Sequence, residues 1–371
     1  MLNLQGVIRN VRYQPCLTPK LTEYELDSFD INAAKGFGIV HFGQNALGYS
    51  KWVSPKRTRS FPYARVYNTY GLAKRVTIIP VIKDEGIRGD NDRINVITLS
   101  LMNLLNVFVI LAWYDDAKKH SARDGKVTSQ LMNVDYVREK LREINNYQQT
   151  ALHWNLSHFE HDFVDVYRRA VTSYRNISTK TGITMHSERD HLTVLEQFVV
   201  EDKFHIESFR EISLTRSKGA AHRETVVQHL SEFLQDGDKA YFNVQNYLGG
   251  EYHLTADEVY RQGERFVIQE SKNTNRTKLP SLNDIKDGLL KLILYSNMDE
   301  LFINGEKVDF TTWLKLTGSV IGSLFLPASA EAVAVFVKAN QFSPSHCAII
   351  DRLNEETQHN LNLSILITGN A

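Results

Sequence analysis

Cysteine is nearly absent from this chain: Cys16 and Cys347 are the only two in 371 residues. So far apart, they make neither a disulfide framework nor a zinc cluster, and such usage fits a reducing cytoplasm. Net charge is absent too. Lys+Arg and Asp+Glu both number 43, so the total excludes no partner and only the distribution of charge is informative. The start, MLNLQGVIRN, has no continuous apolar h-region, so no secretory leader is expected. No GxxxxGK[ST] phosphate loop occurs, which leaves ATP-driven action and a nucleotide cofactor unsupported. The GFG beginning at Gly36 is too short for a dinucleotide fingerprint, and the G-x-S-x-G nucleophile elbow is missing. So is the (D/N)PP(Y/F) signature of amino-methyltransferases. No internal repeat or low-complexity tract is present.

Long apolar runs are scarce as well. Residues 94–114 hold no charge over 21 positions, nominally a bilayer span. Asn95, Asn103 and Asn106 interrupt that stretch, and amides are costly in hydrocarbon. The expectation is a buried helix to about Leu105 followed by the core strand VFVILAWY, with no membrane partner. What is present is an ordinary globular composition, 42% hydrophobic and 23% charged, in a chain long enough for two domains.

The charge distribution is uneven. Between Asp30 and Asp84 there is no acidic residue but nine basic ones: Lys35, Lys51, Lys56, Arg57, Arg59, Arg65, Lys74, Arg75 and Lys83. Trp52, Phe61, Tyr63, Tyr67 and Tyr70 are interleaved. Positive charge without compensating carboxylates is what a phosphate backbone attracts; the bland alternative is a solvated face that binds nothing. Pro55 and Pro62 predict loop or edge strand in the densest run, YSKWVSPKRTRSFPYARVY. Next come a buried strand (RVTIIPVIKDEG), a turn, a helix and a second strand, a pattern that predicts a parallel pair joined by a crossover. The acids Asp84, Glu85, Asp90 and Asp92 fall at a strand end and a helix start, where acids are favoured by the helix dipole alone.

Residues 135–217 read as mostly helical. Val137, Leu141 and Ile144 have helical spacing, and HWNLSHFEHDFVDVYRRAV continues the pattern. His158 and His161 share a helix face there, without a third convergent ligand, and are read as half-exposed histidines. Further on, AHRETVVQHLSEFLQDG and LPSLNDIKDGLLKLILYSN are amphipathic helices, the second opening on Ser281 and Asp284. AVAVFVKA and NLSILITG read as strands around a helix, CAIIDRLNEETQHN.

Between the two amphipathic helices lies LTADEVYRQGERFVIQESKN, a hairpin with Gly263-Glu264 at a type II′ turn. If Gln262 pairs with Arg265, Asp257 falls opposite Glu270, and the period of two adds Lys272 to the same face. Two carboxylates and an ammonium then converge on one patch.

An acid on one strand and Glu-x-Lys on its neighbour, between an acid-bearing helix and an amphipathic one, resembles the PD-(D/E)xK nuclease core. Here these are Asp257 and Glu270-Ser271-Lys272, with Ala256 where the motif's name has Pro. Residues 221–297 carry the likeness, and SPKRTRSFPYARVY followed by IIPVIKDEG also resembles segments of type II restriction endonucleases. The resemblance implies a mixed α/β fold with a restriction-endonuclease-like core in residues 218–371. Residues 1–134 would form a basic α/β DNA-recognition region, and 135–217 a helical connection. It implies Asp257, Glu270 and Lys272 as catalytic residues. One or two Mg²⁺ would be held by Asp257, Glu270, the Ser271 carbonyl and an extra acid, Glu224. The implied activity is sequence-specific hydrolysis of unmodified double-stranded DNA by a cytoplasmic homodimer, with a cognate DNA methyltransferase as genetic neighbour. Lys51, Lys56, Arg57, Arg59 and Arg65 are the candidate DNA contacts. The alternatives are a nuclease of the same class in repair or recombination, and a non-catalytic DNA-binding protein.

Overall fold

The computed structural model describes residues 3–56, 62–94, 96–201, 203–205, 208, 238–246 and 251–370. The fold is mixed α/β, in two compact units: Lys20–Thr215, and Met1–Pro19 together with Arg216–Ala371. Strand β1 (Asn3–Ile8) explains why the second unit has two pieces. It pairs in parallel with residues 241–246 and antiparallel with residues 300–303. The expected division near 217 falls within two residues of the observed one, whereas that near 134 is replaced by one after Pro19: the first residues join the C-terminal sheet, and the helical middle packs with the strands that precede it. Pairing between such distant segments leaves no local mark in the sequence.

Residues 20–215 are built on a sheet ordered β2 (Glu23–Glu25), β3 (Phe37–Phe42), β4 (Asn45–Lys51), β5 (Arg75–Pro80) and β8 (Phe108–Ala112). Short ribbons pair β6 (Ile82–Asp84) with β7 (Asn91–Arg93), β9 (Tyr114–Lys119) with β10 (Val127–Met132), and β11 (Val199–Val200) with β12 (Lys203–Phe204). The helices are α1 (Pro62–Thr69), α2 (Val96–Leu104), α3 (Val134–Asn146), α4 (Ala151–Thr181) and α5 (Glu188–Glu196). As expected, β5 and β8 are parallel and α2 lies between them in sequence. Among the described residues no helix is long and apolar enough to cross a membrane.

Strand β8 is an edge strand, and α4 closes that edge with side chains in place of a further strand. The Val109 N–H donates to Asn155 Oδ1 (2.7 Å), and Asn155 Nδ2 donates to the Val107 carbonyl (2.9 Å). Trp154 Nε1 donates to the Val109 carbonyl (3.0 Å), and the Leu111 N–H donates to His158 Nε2 (3.1 Å). Buried backbone groups must find partners, and an open edge invites pairing with another chain. His158 is therefore fully buried, not half-exposed, while His161 is exposed. Its Nε2 accepts, so its Nδ1–H donates to Asp162 (2.6 Å), and burial pushes the ring's pKa down despite that carboxylate.

The second unit carries a sheet ordered β17 (Glu306–Val308), β16 (Glu300–Ile303), β1, β13 (Asp238–Asn246), β14 (Glu251–Gln262), β15 (Arg265–Asn273), β18 (Phe310–Gly318), β20 (Leu363–Gly369) and β19 (Ser323–Leu326). Strands β13, β14 and β15 form an antiparallel meander, whereas β18 is parallel to both β15 and β20. Helix α6 (Leu282–Ser296) connects the meander to the later strands and packs on β15 and β18. Its start is the anticipated one, since the Ser281 hydroxyl accepts the Asp284 N–H (3.2 Å). Ile285, Leu289 and Leu292 form its buried face.

Two local readings are corrected. AVAVFVKA is helix α7 (Ala330–Ala339), not a strand. Alanine favours helix, Ser329 caps its N-terminus, and the buried residues are Val333 and Phe336, spaced by three and not by two. CAIIDRLNEETQHN is helical as expected, within α8 (Pro344–His359). Pro62 begins a helix where loop or edge strand was expected; at a first helical position its missing N–H has no intrahelical partner to lose.

Candidate active site

The hairpin turns at Gly263, whose φ is +61°, while Glu264 keeps a negative φ. That combination is the type II′ turn. The ladder runs from Gln262↔Arg265 to Glu258↔Gln269. The ladder stops one step short of Asp257 and Glu270, in the phase that would set these two acids across from one another.

Asp257 occupies an irregular place. The pairing of β14 with β13 is regular up to Ala256 and then slips before Val259. The Ser271 N–H donates to Asp257 Oδ2 (2.9 Å), so the acid's side chain bridges to β15 at the point where the regular ladder stops. A bulge that aims a side chain in this way is a common device beside reactive sites.

Glu270 is completely buried. It lies on the face of β15 that α6 covers, beside Leu314 of β18. Lys272 Nζ is 2.9 Å from its Oε1. A second ammonium comes from α6: Lys291 Nζ lies 2.7 Å from Oε1 and 2.9 Å from Oε2. Gly288, one turn before Lys291, allows this close packing. A Cβ there would meet Leu314 Cδ1 at 2.8 Å and Lys272 Cε at 3.2 Å.

The two acids respond in opposite directions. Burial alone would push the Glu270 carboxyl up, but Lys291 and Lys272 outweigh it and hold the group below its ordinary range. For Asp257, burial and then the charge of Glu270 prevail over Lys291, the Ser271 N–H and Lys272, so its pKa is raised. Gln269, nearly buried, donates to Glu258 (2.7 Å) and to the Ser271 hydroxyl (3.2 Å).

The structure thus gathers Asp257, Glu270, Ser271 and Lys272, and adds Lys291. Asp287 hides Lys291 in the sequence, because four residues apart on a helix it offers an ordinary local partner. Glu224, Arg57 and Arg59 lie outside the described residues. Among the described residues no group of three or more His, Cys, Asp and Glu is arranged to hold a metal ion. The carboxylate pair nevertheless fits Mg²⁺ in type: hard oxygens on two acids, with burial and then the charge of Glu270 raising Asp257.

The candidate DNA contacts in the N-terminal stretch need correction. Lys51 Nζ donates to the carbonyls of Ile31 (2.6 Å) and Ala34 (2.9 Å), and burial lowers its pKa. Arg65 is half-buried and donates to the Lys51 carbonyl. Lys56 Nζ is 2.6 Å from the buried Asp92 carboxylate, its side chain half exposed. Lys74 Nζ gathers the carbonyls of Ile144, Asn145 and Tyr147 at the end of α3, and Arg75 those of Tyr70, Leu72 and Asn106. Much of this acid-free run therefore satisfies main-chain carbonyls, a use that needs no carboxylate and removes Lys51 and Arg65 as free phosphate or base readers. Trp52, Tyr63, Tyr67 and Tyr70 are core residues.

The acids after that run share the β6–β7 hairpin, but Asp84, Glu85 and Asp92 take separate partners. Buried Asp84 is contacted by His186 Nδ1 (2.8 Å) and His191 Nε2 (3.4 Å). Those bonds overcome the upward push of burial and lower its pKa. Glu85 pairs with Lys83 (2.7 Å), and Asp92 with Lys56 and Ser54.

No family model, curated protein or solved structure matches this chain. The functional reading rests on the site itself.

Proposed function

We propose that this chain is a Mg²⁺-dependent endonuclease of the PD-(D/E)xK class, hydrolysing phosphodiester bonds of double-stranded DNA. Within that class we read it as a type II restriction endonuclease: a cytoplasmic homodimer that cuts unmodified DNA and has a methyltransferase as genetic neighbour. One observation carries the reading. Asp257 accepts the Ser271 N–H from the neighbouring strand, next in sequence to Glu270, and Lys272 is paired with that same Glu270.

Hydrolysis needs a water oxygen to attack phosphorus, charge on the phosphoryl oxygens to be offset, and the leaving sugar oxygen to gain a proton. Glu270, kept ionised by two ammoniums, and Asp257, with the Ser271 carbonyl beside them, are the oxygen donors that would hold Mg²⁺. The bound ion supplies charge neutralisation and a more acidic water. Lys272 is positioned to orient that water and to offset phosphate charge. Burial of Glu270 under α6 fixes its carboxylate in place before substrate arrives.

Digestion of unmodified plasmid with Mg²⁺ tests the reading, with Glu270→Ala and Lys272→Ala as controls. The expected result is discrete fragments from the wild type and loss of cutting with retained DNA binding in both variants. A wild type that cuts no DNA of any origin refutes it. A second reading, a repair or recombination nuclease that senses DNA shape, gains from the engagement of Lys51 and Arg65 with main-chain carbonyls. Structure-dependent cuts or a smear in the same digest select it.

A further inference from the structure

We propose that Lys291 is a resident counter-ion of Glu270, which a divalent cation must displace to bind, and hence a positioning residue that sets the metal affinity of the site. The inference rests on the metal-dependent reading above and names a residue outside the Glu-x-Lys motif.

The geometry is specific. Lys291 spans both oxygens of Glu270 at 2.7 and 2.9 Å, whereas Lys272 reaches only Oε1, at 2.9 Å. The carboxylate is wholly enclosed, and Lys291 stands on both of its oxygens. A cation that coordinates Glu270 must therefore take over a position held by an ammonium. Lys291 is well suited to yield it. Its side chain is 18% exposed, so the head group has a route to water. Lys272 sits on β15 itself, two residues from Glu270, and stays beside the acid.

The arrangement also resolves an electrostatic problem. Two acids and one lysine would leave a net negative charge beside a buried carboxylate, which is strongly unfavourable without a counter-ion. With Lys291 the buried Glu270 carboxylate faces two ammoniums, which hold it ionised before any metal arrives. A divalent ion that takes the place of Lys291 would leave that ammonium available to a phosphate.

The test is calorimetric titration of Mn²⁺ into the full-length protein at pH 8, without DNA, comparing wild type, Lys291→Met, Lys291→Arg and Glu270→Gln. Lys291→Met keeps the stem but removes the charge, and thermal melts confirm that each variant is folded. Removing the competing ammonium should tighten Mn²⁺ binding about tenfold, a fraction of what breaking a fully buried pair costs, because Lys291 is part exposed and Lys272 remains beside the acid. Lys291→Arg should restore the weaker affinity, which a purely structural role for the side chain would not predict. Glu270→Gln should abolish binding. If Mn²⁺ binds wild type and Lys291→Met equally, or the variant more weakly, the counter-ion proposal is overturned while the metal site stands. If no binding depends on Glu270, the metal-dependent reading fails together with the proposal.

Discussion

Two isosteric substitutions, Asp257→Asn and Glu270→Gln, should move the stability of the metal-free protein in opposite directions. Asp257 is a carboxylate that feels another nearby, and its pKa is raised by burial and by Glu270. Like charges opposed across a ladder cost up to about 1 kcal/mol, and Asn can still accept the Ser271 N–H, so Asp257→Asn should gain roughly 0.5–1 kcal/mol. Glu270 is the reverse case, because its removal strands two ammoniums. Breaking a buried pair costs about 3–5 kcal/mol. Here the Lys272 and Lys291 side chains are 23% and 18% exposed and can turn to water. A loss of about 2–3 kcal/mol is therefore expected for Glu270→Gln. In a unit of this size those values correspond to Tm shifts of roughly +1 to +4 °C and −5 to −10 °C. Thermal melts in EDTA at pH 7.5 read both.

The pH dependence follows from the same signs. The Glu270 pKa is depressed on folding, so its contribution is present in full above the ordinary carboxylate range and is lost as pH falls through the depressed value. Asp257 has a raised pKa, so its penalty is complete above that value and fades as pH falls toward the unfolded one. Glu270→Gln should flatten the acid limb of the stability curve, and Asp257→Asn should steepen it. If both amides shift Tm in the same direction, the proposed division of roles between the two acids is wrong.

Other substitutions probe the frame around the site. Asn155→Ala leaves the Val109 N–H and the Val107 carbonyl without their side-chain partners, and should cost about 3 kcal/mol in urea unfolding; a loss below about 1 kcal/mol would mean the β8 edge is satisfied otherwise. Lys51→Met should destabilise by about 2 kcal/mol while leaving DNA affinity and its salt slope unchanged; the opposite pattern would return Lys51 to the phosphate contacts. Gly263→Ala places a Cβ at φ +61° and should cost about 1 kcal/mol, with cutting slowed if the hairpin register loosens. Unaltered stability there would show that the turn does not set the register.

Several features were legible in the residues alone. The hairpin register followed from one glycine and a period of two, because a two-residue turn leaves the ladder no freedom. The same holds for the helix opening at Ser281, for the long α4, and for the helix and strand of the amide-interrupted apolar stretch, α2 and β8. These are local rules, satisfied by neighbours in the chain.

What the tertiary structure alone decided are partnerships between distant segments. Whether a lysine meets a phosphate or three carbonyls depends on which backbone groups the fold leaves without partners, and Lys51 and Lys74 answer to loops and helix ends elsewhere in the chain. Lys291 reaches Glu270 from 21 positions away because Gly288 lets a helix settle on the strand. Sequence placed two acids and a lysine on one face; packing buried one acid, raised the pKa of the other and supplied the second lysine, because charge becomes costly only once water has been excluded.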